Sequence, residues 1–378
     1  MNPFKFLFPK KVLGIDIGTS SIKVVEISGN NGKKTLVNYC QTVSDNSQSN
    51  AENSSVQALS AFTPQIIKEI LKESGIKTKE AVFAIPDFST FCTSFEIPPM
   101  TEKEIPDAIR YNASQYITLP ISEVTLDWVV TPKSTGLDAR FIRGAKNPVI
   151  DKNSSFKVFL VAVPNQVVQE YKDIAKSAGL KLYAIEAESL ALTRALAKNS
   201  LVMQAGQLVP SFKKTICLID IGVKSSVINV IDQGFLRNSY SFNFDSSKLS
   251  KAISSTLGVQ GVVAEDIKNK EGLTHSKPEV VENLSLLLSP LLNEIKNISD
   301  EFLRLEQKQI DQIYLTGGAA NMPGLKEHVA EVLKKEVYVP NCFSEFSYPA
   351  NLQETLKSMS PSFSVAVGTA LSRFEPEK

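Results

Sequence analysis

Two stretches of this chain repeat one pattern, and the repeat narrows what the chain can fold into. The first is Val12-Leu-Gly-Ile-Asp16-Ile-Gly18-Thr19-Ser20-Ser21-Ile-Lys23-Val-Val-Glu-Ile27. The second is Cys217-Leu-Ile-Asp220-Ile-Gly222-Val-Lys-Ser225-Ser226-Val-Ile-Asn-Val-Ile231. Each reads as an apolar strand, Asp-x-Gly, a small polar turn and a second apolar strand. Asp16 and Asp220 lie 204 residues apart. A carboxylate at the end of a buried strand is costly unless it is paired or faces a metal. Gly18 permits a tight turn and close approach to the backbone. Thr19, Ser20 and Ser21 offer hydroxyl and N–H donors to an anion, and Lys23 can reach a phosphate as a point charge. One such turn is equally well a plain structural turn. The second copy at Asp220, Gly222, Ser225 and Ser226 favours a phosphate clamp.

At 378 residues the chain suits two domains. Strands followed by helices in each half give an α/β class and suggest duplication of one unit. A run ending at Pro86 and another ending at Pro164 bracket an inserted segment. Helices are expected from Thr63 as N-cap with Pro64 at N1, from the Thr101–Glu104 capping box to about Tyr116, and over 165–177, 186–199 and 279–307. A closing helix is expected over 364–373. Residues 202–213 read as a connector, 44–55 and 132–155 as polar loops, and Phe4, Phe6 and Phe8 as a docking arm.

Composition excludes several classes. The net charge of +1 argues against nucleic-acid binding through bulk charge. Cys40, Cys92, Cys217 and Cys342 have no metal or redox spacing; Cys92 and Cys217 read as buried thiols, which fits a reducing cytoplasm. His275 and His328 read as structural or solvated. No apolar run reaches membrane-spanning length.

A third element completes the pattern. Leu315-Thr316-Gly317-Gly318-Ala-Ala-Asn321 is an apolar strand running into paired glycines, which let the backbone lie flat against a sugar and phosphate. With all three elements in this order, the chain resembles the actin-like ATPase superfamily, which includes hexokinase and FtsA. Within it the chain is similar to the PilM family of type IV pilus assembly. The likeness extends over Ile97-Pro-Pro-Met100, Ala113-Ser-Gln-Tyr116-Ile-Thr-Leu-Pro120, Glu123-Val-Thr-Leu-Asp127 and Gly317-Gly318-Ala-Ala-Asn-Met-Pro-Gly324.

The resemblance implies an actin-like α/β fold with an FtsA/PilM-type insertion. Residues 1–86 and 164–205 would form the first domain and 87–163 its inserted subdomain. Residues 206–245 and 309–378 would form the second domain, and 246–308 its helical subdomain. It implies ATP or ADP with Mg²⁺, the metal lying near Asp16, through water, and near Asp220. Thr19, Ser20, Ser21, Lys23, Gly18, Gly222 and Ser225 would hold phosphate, and Gly317 and Gly318 the sugar. Glu265 and Lys268 match a helix that reaches ribose and adenine, or are solvated helix charges. Glu186 would open a helix and orient the attacking water, or is an acid favoured by the helix dipole.

The implied role is a cytoplasmic adaptor, peripheral to the inner membrane, that docks the N-terminal cytoplasmic peptide of a PilN-like membrane protein. The segments 88–97 and 111–119 would line the groove; self-association is left open. The Asp220 copy departs from the pattern in Val223-Lys224-Ser225 and in Ser241–Ser247, which argues for a weak or slow ATPase at most. An FtsA-like filament protein would end in an amphipathic helix, which the stretch Ser372–Lys378 does not form. A small-molecule kinase of the superfamily would need a catalytic base, and Asp87 occupies a hinge-like position instead.

Overall fold

The computed structural model describes residues 10–30, 33–42, 56–101, 103–132, 155–197, 201–204, 207–210 and 214–375. The expected arm at Phe4, Phe6 and Phe8, the 44–55 loop and residues 133–154 of the 132–155 loop lie outside them. The chain forms two compact units. One comprises Met1–Ser211, Phe343–Gln353 and Val365–Lys378; the other comprises Phe212–Cys342 and Glu354–Ser364.

The first unit begins with strands β1 (Lys10–Ile17), β2 (Ile22–Asn30) and β3 (Lys33–Gln41), then helix α1 (Val56–Glu73) and β4 (Glu80–Ile85). The inserted segment follows as β5 (Phe91–Ile97), α2 (Ile105–Ala113), β6 (Val124–Pro132) and β7 (Phe156–Pro164). The chain returns through α3 (Asn165–Ser177), β8 (Lys181–Ala187), α4 (Glu188–Leu196) and a short hairpin, β9 (Leu201–Gln204) with β10 (Gln207–Pro210). The second unit carries β11 (Thr215–Ile221), β12 (Ser226–Asp232), β13 (Phe235–Phe242), α5 (Ser247–Leu257), α6 (Gly261–Lys270), α7 (Pro278–Glu306), β14 (Gln312–Thr316), α8 (Leu325–Leu333) and β15 (Glu336–Tyr338). The small strand β16 (Phe346–Ser347) and helix α9 (Gln353–Leu371) close the chain.

The repeat seen in the sequence is a repeat of topology. The first unit's sheet runs β16-β3-β2-β1-β4-β8 and the second unit's runs β13-β12-β11-β14-β15. In each, three strands form an antiparallel meander and the first of them also pairs in parallel with a later strand. A register shift falls between Glu26 and Ile27 in one copy and between Val230 and Ile231 in the other, again 204 residues apart. The central strands β1 and β4 are apolar on both faces because the sheet is covered on both. In the second unit, Leu284, Leu288, Leu291 and Ile295 of α7 pack with Ile219 and Ile228 of the sheet. The inserted segment is a separate three-stranded sheet, β5-β7-β6, with its own core of Phe95, Ile109, Val158 and Leu160.

Several expected boundaries move. Helix α1 begins at Val56, so Pro64 is interior and Thr63 is no cap; proline disfavours a helix interior, but the buried stripe Ile67, Ile70 and Leu71 holds the helix on its sheet. Asp87–Ser89 is a turn of 3₁₀ helix before β5 begins. Helix α2 ends at Ala113 rather than near Tyr116. Glu186 does not open a helix: β8 continues through Ala187 in parallel pairing with β4, and α4 starts at Glu188. The 202–213 connector contains the β9–β10 hairpin. The closing helix is longer than 364–373, because α9 starts at Gln353 and tolerates Pro361 inside it. Cys217 is buried as expected, whereas Cys92 is only partly buried.

Candidate nucleotide-binding elements

In the first unit the carboxyl ends of the parallel strands β1, β4 and β8 gather the polar residues. This is where open α/β sheets place ligands. Asp16 pairs with Lys23 across the hairpin, and with Ala84 on β4, which in turn pairs with Glu186 on β8. Asp16 is buried, with the Lys23 ammonium 3.6 Å from its carboxylate. Burial pushes its pKa up, and Lys23 opposes the shift. The Gly18 N–H donates to the Ser21 carbonyl at 3.0 Å, which closes the turn around Thr19 and Ser20. A Cβ on Gly18 would stand 3.1 Å from that carbonyl and 3.9 Å from the Lys23 nitrogen.

The second hairpin reproduces this turn. The Gly222 N–H donates to the Ser225 carbonyl at 3.1 Å, and a Cβ on Gly222 would lie 2.5 Å from it. The Ser226 hydroxyl is buried and donates to the Phe244 carbonyl, so it serves the fold. The departure at Ser241–Ser247 has a structural account. The Asp245 carboxylate accepts the Ser247 N–H at 2.8 Å and so caps α5. The Ser246 and Ser247 N–H groups meet the Gly222 and Val223 carbonyls at 3.4 Å. The start of α5 therefore lies on the Asp220 turn.

The paired glycines meet the same hairpin. Thr316 pairs with Asp220, and a Cβ on Gly317 would overlap the Asp220 carboxylate and come within 2.6 Å of the Ile221 carbonyl. Gly317 has φ +88°, a left-handed conformation that side chains strain. The Cβ position of Gly318, by contrast, opens on empty space. On α6, Lys268 is buried and its ammonium lies 2.7 Å from Glu265, which also accepts from the Ser250 hydroxyl. Burial raises the Glu265 pKa, but the bonds from Lys268 and Ser250 outweigh it and hold it low. The turn after α6 is locked to the glycine loop: Leu273 N–H donates to the Pro323 carbonyl at 2.8 Å. The second unit thus brings Asp220, Gly222, Ser225, Gly317, Gly318 and the helix of Glu265 and Lys268 into contiguous elements.

Glu186 is placed differently from its expected role. Both of its carboxylate oxygens accept from one Arg194 nitrogen at 2.9 Å, and Arg194 also binds Glu375 and the Gly368 carbonyl. The acid that opens α4 is Glu188. Burial, and then the carboxylates of Glu188, Asp16 and Glu170, push the buried Tyr171 phenol upward. Sequence reasoning missed Glu188 because β8 runs two residues further than its apolar run.

Asp87 is the other unexpected residue. Its Oδ1 accepts from the Ser189 hydroxyl at 3.0 Å and from the Ser189 N–H at 3.4 Å, while Oδ2 is buried without a partner. Burial raises its pKa from 3.8 to about 6, against the Ser189 bonds. Ionisation of this acid therefore opposes folding. Its stabilising contribution is full below about pH 4 and is lost as pH rises through about 6. Asp87→Asn keeps the acceptor for Ser189. It is expected to stabilise the fold by about 1–2 kcal/mol at pH 7.5 and to change little at pH 4. Denaturant titrations at both pH values measure this; an equal effect at both would contradict it.

Among the described residues no group of acids, cysteines and histidines forms a metal cage, and no helix is long and apolar enough to cross a membrane. The solved PilM–PilN type IV pilus biogenesis complex contains a chain with a TM-score of 0.76 and 23% identity, covering 97% of this chain and 99% of that one. The ethanolamine utilization protein EutJ of Carboxydothermus hydrogenoformans matches with a TM-score of 0.52 and 17% identity, over 96% and 90%. These likenesses establish a shared fold, the actin-like ATPase fold. The family described as type IV pilus assembly protein PilM matches residues 14–374, nearly the whole chain, and the chain belongs to that family.

Proposed function

We propose that this protein is a nucleotide-dependent adaptor of type IV pilus assembly: it binds ATP or ADP with Mg²⁺ and docks the cytoplasmic tail of a PilN-like inner-membrane protein. The observation that carries the nucleotide reading is the twice-built turn, in which Gly18 and Gly222 each close on a serine carbonyl. In each, a side chain at the glycine would crowd the turn that is to receive phosphate. The donor set fits Mg²⁺, which keeps most of its waters and takes one or two carboxylates with substrate phosphates rather than a full protein cage. Asp16, through water, and Asp220 would supply these. Thr19, Ser20, Ser21, Lys23, Gly222 and Ser225 would hold phosphate, and Gly317, Gly318, Glu265 and Lys268 the nucleoside. Glu186 is committed to Arg194, so we assign the water-orienting carboxylate to Glu188 at the start of α4.

Residues 87–163 would receive the partner. The solved PilM–PilN complex supports a PilN-like partner. The exposed side chains of Phe88, Phe91, Tyr111, Tyr116 and Leu119 all belong to this segment. Strand β5 pairs only with β7 among the described residues, which leaves an edge for strand addition by an extended peptide. The protein would then reach the membrane through its partner. Capture of the protein by an immobilised PilN-like tail peptide, with and without MgATP, tests the adaptor reading. Retention that Tyr116→Ala weakens is expected; no retention in either condition would remove it.

A further inference from the structure

We propose that Asp87 is a positioning residue that couples peptide binding on the inserted segment to nucleotide binding at the Asp16 hairpin, by holding the first turn of α4. The inference rests on the functional reading above. Asp87 lies two residues beyond the end of β4, and its neighbour Phe88 is half exposed on the segment assigned to the peptide. Its backbone is fixed toward β5, because its carbonyl accepts from both the N–H and the hydroxyl of Thr90 at 3.0 Å. Its side chain is fixed toward α4, because it bonds Ser189. Ser189 follows Glu188, and Glu188 stands two residues past Glu186, which pairs with Ala84 and through it with Asp16 across the sheet. One residue therefore ties the root of the insertion to the helix start beside the phosphate turn.

The arrangement is not the most stable one available. The residue before α4, Ala187, offers no side-chain cap, so the cap comes from Asp87, far away in sequence. A neutral side chain would cap as well without burying a charge. Instead a carboxylate is kept with one buried oxygen unpartnered, an expense of a kind that clusters where a structure has to move. A shift of β5 on peptide binding would change the geometry of the Asp87–Ser189 bonds, and with it the position of Glu188.

The test is a coupling cycle by calorimetry on the full chain. MgATP affinity is measured with and without saturating PilN-like tail peptide. In the wild type the two affinities should differ by at least about fivefold. Asp87→Asn, which retains the acceptor, should keep that ratio. Asp87→Ala should bring it to within about twofold of unity while each ligand still binds alone. If Asp87→Ala does not fold, Ser189→Ala removes the shorter bond and should also reduce the ratio. Equal affinities in the wild type, or an undiminished ratio in the alanine variants, would overturn the coupling. Failure of the wild type to bind either ligand alone is a different result and would overturn the functional reading beneath it.

Discussion

Asp16→Ala is expected to lower MgATP affinity by at least about a thousandfold, or about 4 kcal/mol, in a chain that still folds. Asp16 is nearly inaccessible to solvent, and burial already disfavours its charge. Its ion-pair partner Lys23 stands at 3.6 Å, beyond the contact of a tight charge-assisted bond. The pair is poor compensation for desolvation, but removing the carboxylate leaves the largely buried Lys23 ammonium without that partner, so some loss of stability accompanies the far larger loss of affinity. The nucleotide complex differs. There Mg²⁺ and its water shell would meet Asp16 while Lys23 turns to phosphate, and loss of the carboxylate would remove the negative side of that arrangement. Calorimetry gives the affinity and thermal unfolding gives the stability. Affinity within tenfold of wild type, in a protein that melts normally, would end the assignment of Asp16 to the metal.

The same contrast explains what could be read from the sequence. The two hairpins were legible because strand, Asp-x-Gly and strand leave a local signature, and the structure builds both with one hydrogen bond pattern. Helices α3 and α7 were legible from apolar periodicity and lie close to their expected positions. Glu186 was misplaced because a strand end and a helix start look alike in Ala-Ile-Glu-Ala-Glu-Ser. Only pairing with β4 through Ala187 separates them. Helix α1 was misplaced because Pro64 suits a first turn, whereas packing carries the helix past it. The Asp87–Ser189 cap joins residues 102 positions apart and has no local trace at all. Read from sequence alone, the Asp220 copy had drifted; in the structure its loop residues differ while its backbone turn is retained.

Gly368→Val is expected to prevent the first unit from folding. Helix propensity alone predicts the opposite sign, since glycine inside a helix costs about 1 kcal/mol relative to alanine. Packing must therefore win by a wide margin, and the geometry says that it does. A Cβ on Gly368 would overlap the Ala191 carbonyl of α4 and lie 3.0 Å from the Ala191 Cα. These are backbone atoms in a helix that cannot turn aside as a side chain can. The other side of α9 offers no retreat: Gly14 of β1 is equally close, and a Cβ there would overlap the Ala366 carbonyl and lie 2.7 Å from Ala370. Separating α9 from α4 would also stretch the bond from Arg194 to the Gly368 carbonyl, and with it the hold on Glu186 and Glu375. Overpacking usually costs about 1–3 kcal/mol where side chains can yield; here the backbone must, and a loss above about 4 kcal/mol is expected. That is most of the stability of an ordinary domain. Gly318→Ala is the control. Its Cβ meets nothing within 4 Å, so it should unfold within about 0.5 kcal/mol of wild type. Circular dichroism and urea titration distinguish the two, and a Gly368→Val chain that unfolds as cooperatively and as late as Gly318→Ala would show that α9 and α4 can part without cost.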